Sequence, residues 1–157
     1  MFLEISTELG CSPERAWQEV QTTRLLEYVT RPLLIFEPIE PQVWPKIWKE
    51  GKYLVKMKFL GIVPFAKQWI DISILDTSAE KQVYQIRDNG HGDLVNKWDH
   101  LIIIEETPTG KTKYIDRLEI DAGILTPLVW LYANIFYRHR QKRWQKLVKN
   151  DFDYSNS

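Results

Sequence analysis

From Leu33 to Asp121 the chain delivers one alternating apolar–polar segment after another, each closed by a turn, and a helical period sets in only afterwards. That order constrains the fold more than any single motif. A period of two puts every second side chain on one face of a strand, and short connections between consecutive strands favour antiparallel neighbours. Lys52 to Leu60 is the plainest case: Tyr53, Val55, Met57 and Phe59 share one face, while Lys52, Lys56 and Lys58 take the other. In Ala66 to Leu75 the repeated face is Gln68, Ile70, Ile72 and Ile74. Lys81 to Asp88, Leu94 to Thr107 and Lys111 to Asp121 complete the run, separated by turns at Asp76 to Glu80, at Asn89 to Asp93 and around Gly110. Leu33 to Ile39 is strand-like as well, and Pro38 and Pro41 put it at an edge or bend.

Two short helices precede that run. Phe2 to Leu9 alternates and forms a first strand, which Gly10-Cys11 ends. Ser12-Pro13-Glu14 then carries the marks of a helix start: a capping hydroxyl, a proline suited to the first helical position and an acid at the positive helix end. Ala16, Trp17 and Val20 form its buried stripe, Thr22-Thr23 interrupts it, and Leu25, Leu26, Tyr28 and Val29 begin a second helix that ends near Thr30-Arg31-Pro32. After the strands, Thr126 caps and Pro127 opens a helix on which Leu128, Leu131, Tyr132, Ile135, Phe136 and His139 recur on one face. Carried to Asn150 it spans about 35 Å at 1.5 Å per residue. An antiparallel sheet is apolar on one face, and this is the only long amphipathic element available to cover it. The expectation is an α+β domain: a curved antiparallel sheet of six to seven strands around a long C-terminal helix, with two short helices after strand 1.

Length and composition bound the function classes. The 157 residues fit one domain, and no repeat, low-complexity stretch or linker divides them. Residues 1–150 are read as that domain and 151–157 as a flexible tail. Lys plus Arg and Asp plus Glu both total 21, which removes a global basic field for nucleic acid. Cys11 is the single cysteine, so neither an intrachain disulfide nor a Cys-based metal site can form. His91, His100 and His139 lack the close spacing of metal ligands. Without a Gly-rich phosphate loop or nucleophile elbow, no cofactor is expected. The start of the chain does not read as a signal peptide, and Ile124 to Tyr137, interrupted by Pro127 and Asn134, is too short to span a bilayer comfortably. A cytoplasmic protein is expected.

The chain resembles the SRPBCC superfamily over nearly its whole length. The resemblance rests on Ser12-Pro13-Glu14 with Trp17, and more strongly on Trp98-Asp99-His100, Gly110-Lys111-Thr112 with Asp116, and Phe136-Tyr137-Arg138-His139-Arg140. That superfamily includes START-related lipid-transfer domains, plant allergen-type ligand binders and bacterial polyketide cyclase/dehydrase-like proteins; this chain is most similar to a bacterial branch. The resemblance implies a helix-grip fold enclosing a hydrophobic cavity. It implies no particular substrate, because carriers, sensors and enzymes share the fold.

The last hairpin can be registered from the residues alone. With Pro108-Thr109-Gly110 as a three-residue loop and Gly110 left-handed, Thr107 lies opposite Lys111, Ile102 opposite Asp116, His100 opposite Leu118 and Trp98 opposite Ile120. Glu105 with Lys113 and Lys97 with Asp121 favour this register. Asp99 opposite Glu119 counts against it, with Arg117 diagonal to Asp99 as relief. His100 and Asp116 then stand diagonally adjacent on an apolar wall. Such a pair can serve as a general base or bind a ligand hydroxyl; with no nucleophile beside it, a satisfied polar pair that anchors the strand is the favoured reading.

Tyr53, Met57, Phe59, Gln68, Ile70, Ile72, Trp98, His100, Ile102, Tyr114, Asp116 and Leu118 on the strands, with Leu131 and Ile135 on the helix, are the candidate ligand-binding wall. Trp44 and Trp48 are candidates for its rim, and equally for the core. Arg138 to Lys149 concentrates cations around Trp144, Leu147 and Val148, a pattern of helices that touch anionic membrane surfaces and also of a solvated helix end. Three functions compete: a binder of a small hydrophobic molecule, a cyclase, dehydratase or isomerase using His100 and Asp116, and a non-catalytic protein-interaction module.

Overall fold

The computed structural model describes residues 1–75 and 83–155. In chain order the elements are β1 (Phe2–Leu9), α1 (Pro13–Val20), α2 (Thr23–Thr30), β2 (Leu34–Glu40), β3 (Gly51–Phe59), β4 (Val63–Ile74), β5 (Tyr84–Gly92), β6 (Lys97–Glu106), β7 (Thr112–Asp121) and α3 (Thr126–Lys149). The strands form one seven-stranded sheet in the order β1-β7-β6-β5-β4-β3-β2, antiparallel throughout. β2 to β7 are a meander, and β1 closes its far edge beside β7. This is the α+β helix-grip architecture expected from the sequence. The expected turn Asp76 to Glu80 and the first residues of the expected strand Lys81 to Asp88 lie outside the described residues.

The short helices start as the residues dictate. Ser12 Oγ accepts from the Arg15 backbone N–H and caps α1. Thr22 Oγ1 does the same for α2 through Leu25 N–H. The β6–β7 register is the expected one from Lys97↔Asp121 to Glu105↔Lys113, and Gly110 has φ +75°, the left-handed value the loop demands. Asp99 and Glu119 do face each other, but the relief differs from expectation. Arg87 on β5 forks onto Asp99 at 2.7 and 2.6 Å, Lys97 takes Glu119, and Arg117 turns to Glu4 on β1.

Two local expectations are corrected. Asn89 to Gly92 is strand, not turn: β5 runs to Gly92. Its glycines serve close strand approach, since a Cβ on Gly90 would stand 2.7 Å from the Trp69 carbonyl oxygen and one on Gly92 2.5 Å from that of Lys67. Secondly, α3 is rotated from the expected face. It buries Ala133, Phe136, Tyr137, Arg140, Gln141, Trp144, Leu147 and Val148, whereas Leu131 and Ile135 are 54% and 58% exposed. The expected face followed the most apolar stripe of the helix's first half. The observed face follows the half near Trp144 and Leu147, and it buries Arg140 together with Gln141, whose amide bonds Asp116 and Ile5 inside. Trp144, Leu147 and Val148 are thereby spent on the core, and the exposed residues of the basic end are cations, among them Arg138, Lys142 and Lys146.

Thr126 caps less directly than expected. Its hydroxyl accepts from Ala122 N–H and donates to Gly123 O, bracing a 3-10 turn over Gly123–Leu125, and Leu125 is the N-cap residue. At the other end the chain does not leave the domain after Lys149. Phe152 and Tyr154, assigned to the tail from sequence, pack against the main core cluster; residues 156–157 lie outside the described residues.

Candidate ligand-binding cavity

A cavity of about 420 Å³ lies between the sheet and α3, beneath α2. Strand alternation supplies most of its wall. β4 contributes Gln68, Ile70 and Ile72, β3 Met57, β6 Trp98, His100 and Ile102, and β7 Tyr114. These eight sequence-predicted residues come together because each occupies an inward position on its strand. α2 adds Leu25, Leu26 and Thr30, and α3 adds Val129, Tyr132, Phe136, Tyr137 and Arg140. Four lining residues, Phe65, Lys67, Leu94 and Leu128, are exposed and mark the opening, between the start of β4, the β5–β6 turn and the first turn of α3.

Six predicted wall residues do not line the cavity. Leu131 and Ile135 project to solvent with the rotated helix face. Phe59, at the end of β3, is partly exposed and leans on the Tyr132 ring. Tyr53 is buried edge-on against Trp48, and its hydroxyl accepts from Lys49 N–H and donates to Lys49 O. Leu118 is fully buried beneath α3 in the cluster of Phe136 and Tyr137. Asp116 is fully buried behind His100 rather than on the cavity surface. Of the two rim candidates, Trp48 lines the cavity and Trp44 packs against it.

The His100–Asp116 pair is real in space. His100 Nε2 and Asp116 Oδ1 are 2.8 Å apart, and the Tyr114 hydroxyl donates to the same oxygen at 3.2 Å. Gln141, from α3, donates to Asp116 Oδ2 at 2.9 Å and to Ile5 O at 2.9 Å. Burial works against the charge on Asp116, but the His100 hydrogen bond, the field of Arg140 and the Gln141 bond prevail and hold its carboxyl below the ordinary value. Burial likewise pushes His100 below its usual value, against the pull of Asp116. The stable arrangement is thus a neutral imidazole donating from Nε2 to a carboxylate that two other side chains also satisfy. Sequence reasoning named His100, Asp116 and Tyr114 among its candidates and missed Gln141.

It also missed the other polar groups on the cavity wall. Asp88 accepts from Asp71 N–H at 2.8 Å, and burial pushes its carboxyl up to about 8. It lies well inside the molecule yet retains some accessible surface, because it faces the open cavity. Its inward position follows from alternation with Ile86, a signal available in the sequence. Arg140 was grouped with the surface cations, although it stands one turn before Trp144 on the buried face.

No protein-family model matches the chain, and none of the curated proteins matches it either. Solved structures do. A protein from Thermus thermophilus superposes with a TM-score of 0.67 at 10% identity, covering 98% of this chain and 100% of its own. One from Chromobacterium violaceum gives 0.66 at 13%, covering 94% and 96%. A START superfamily protein from Mycobacterium smegmatis gives 0.63 at 11%, covering 95% and 97%. At such identities the likeness shows the fold: a START-like helix-grip domain. Among the described residues, no helix is long and apolar enough to cross a membrane.

Proposed function

We propose that the protein binds a small hydrophobic molecule, lipid- or polyketide-like, between the sheet and α3. The observation that carries this reading is the 420 Å³ cavity lined mainly by aliphatic and aromatic side chains, within the range of small-molecule sites. Burial of apolar ligand surface supplies affinity at roughly 25 cal/mol per Å² before binding costs are subtracted. Native mass spectrometry of freshly purified protein, followed by titration with a fluorescent fatty acid, tests it. Saturable binding weakened by Ile72→Trp, which adds a ring to the wall, supports the reading. A panel of apolar probes with no saturable binding defeats it.

A catalytic reading rests on one observation, that His100 borders the cavity as a neutral imidazole. Its Nε2 is committed to Asp116, and Asp116 is satisfied from three sides, so an anchoring role accounts for the pair without chemistry. Turnover of a cyclic or dehydratable substrate, lost in His100→Gln while binding persists, would reinstate the enzyme.

A further inference from the structure

The cavity wall is mainly apolar, and of the three cations that line it Lys67 is exposed to solvent and Arg87 is forked onto Asp99, which leaves Arg140 as the buried one. Arg140 lies on the inward face of α3, lines the cavity and is only 9% exposed. Its Nε has no hydrogen-bond partner among the described residues. Its guanidinium lies over the Tyr137 ring, 4.7 Å from Cζ to the centroid, and no carboxylate among the described residues stands within ion-pairing distance of it. The carboxylates nearby are otherwise engaged. Asp116 receives His100 and Tyr114 on one oxygen and Gln141 on the other. Asp88, pushed up to about 8, is largely neutral at pH 7.

A buried guanidinium without a bonded anion is costly, and buried donors without acceptors are rare enough to need a reason. Two other residues that line the same cavity carry buried polar atoms without partners, Thr30 Oγ1 and Tyr132 OH. The chain thus holds unspent hydrogen-bonding capacity around a mainly apolar chamber.

We propose that Arg140 is the head-group receptor of the cavity, and that the ligand is an amphipathic carboxylic acid whose carboxylate pairs with the Arg140 guanidinium while its apolar body runs along α3 toward Leu128. This rests on the ligand-binding reading above and narrows it to one chemical class. The planar fork of arginine matches the two oxygens of a carboxylate. The lining residues of α3 begin at Leu128, by the opening, and end at Arg140, a helix distance of about 18 Å at 1.5 Å per residue. The acid enters head first, and its chain fills the space between.

The test is titration calorimetry at neutral pH with dodecanoate, dodecan-1-ol and dodecyl phosphate, which share one tail. Dodecanoate binds at least about tenfold tighter than the alcohol, a difference of about 1.4 kcal/mol. Arg140→Met erases that preference and leaves alcohol binding within about threefold. Arg140→Lys, which keeps the charge and removes the Nε donor, retains part of it. Should Arg140→Met fail to fold, the acid-to-alcohol ratio of the wild-type protein decides alone. Equal affinities for acid and alcohol overturn the head-group assignment and leave the cavity reading standing. Binding of dodecyl phosphate well above dodecanoate overturns the carboxylate class in favour of a phosphate head. No binding of any of the three overturns both this proposal and the reading beneath it.

Discussion

Gln141 reaches from the middle of α3 to the carboxylate of Asp116 on β7, and its amide nitrogen donates to Oδ2 at 2.9 Å. The same nitrogen donates to the carbonyl of Ile5 on β1 at 2.9 Å. One side chain therefore holds the helix to two neighbouring strands in a region closed to water. Replacing it with leucine keeps volume but leaves a carboxylate oxygen and a backbone carbonyl short of a donor. The expected cost is about 1–3 kcal/mol, read as a lower urea midpoint with an unchanged slope. A loss below about 0.5 kcal/mol would mean that water takes over both bonds.

Asp88 and His100 give the stability curve opposite slopes. Asp88 has its folded value raised from 3.8 to about 8. Between those values the folded protein keeps a proton that the unfolded chain has released, so its contribution falls as pH rises through the window and is constant above it. His100 is depressed below 6.5, so its contribution is present above that value and lost as pH falls beneath it. Asp116, also depressed, matters only in stronger acid, below 3.8. From about pH 6.5 to about pH 8, of these three groups, Asp88 therefore sets the slope. Asp88→Asn should flatten the decline there, with unfolding free energies measured in urea at both ends. Parallel curves for the two proteins would show that water in the cavity already solvates the carboxylate.

The exposed and buried stripes of α3 make a second contrast. Ile135→Ala removes a solvent-facing side chain and should stay within about 0.5 kcal/mol of the wild type. Leu147→Ala opens a hole at a fully buried position and should cost about 2–5 kcal/mol. Comparable losses at both positions would mean that Ile135 is covered in solution.

How much of this was legible in sequence depended on the kind of signal. Strand alternation is short-ranged, so Met57, Ile70, Ile72, Trp98 and Ile102 were assigned inward correctly, and Gly110 fixed a register that placed His100 beside Asp116. The helix misled because two stripes compete on it. Leu131 and Ile135 look buried until the period is extended back from Trp144 and Leu147, which leads through Arg140 and Gln141 to Ala133 and Phe136. Polar residues on a buried face break the apolar pattern, and the reason Gln141 is there, Asp116 on a strand well back along the chain, is not local. Gly90 and Gly92 misled in the same way, since a glycine chosen for close strand contact looks like a turn residue. Asp88 was legible by its alternation with Ile86, but a turn placed at Asn89 hid the continuing strand.

The chain after Lys149 offers the last test, because composition and packing disagree about it. Asp151 to Ser157 is short, polar and terminal, which reads as a tail. In the fold, however, the Phe152 ring meets Trp144 edge-on with centroids 6.1 Å apart, and Arg15 lies over it at 4.0 Å. Tyr154 packs edge-on against Tyr28 at 5.4 Å, under the Arg24 guanidinium. Its hydroxyl donates to Glu19, a fully buried carboxylate also held by Arg15 and Arg24. Burial and the Glu19 contact push that hydroxyl well above its usual value, so it remains a donor. Two half-buried rings are worth about 2–3 kcal/mol together, and a hydrogen bond to a charged acceptor about 1.5 kcal/mol, less here because two arginines remain. Ending the chain at Asn150 should therefore destabilise by about 2–4 kcal/mol. Tyr154→Phe should lose about 1 kcal/mol, since it keeps the ring and drops only the hydroxyl. Thermal and urea unfolding of both variants decide the matter. A truncated protein within about 0.5 kcal/mol of the full chain would return the segment to a tail, with Glu19 held by its two arginines alone.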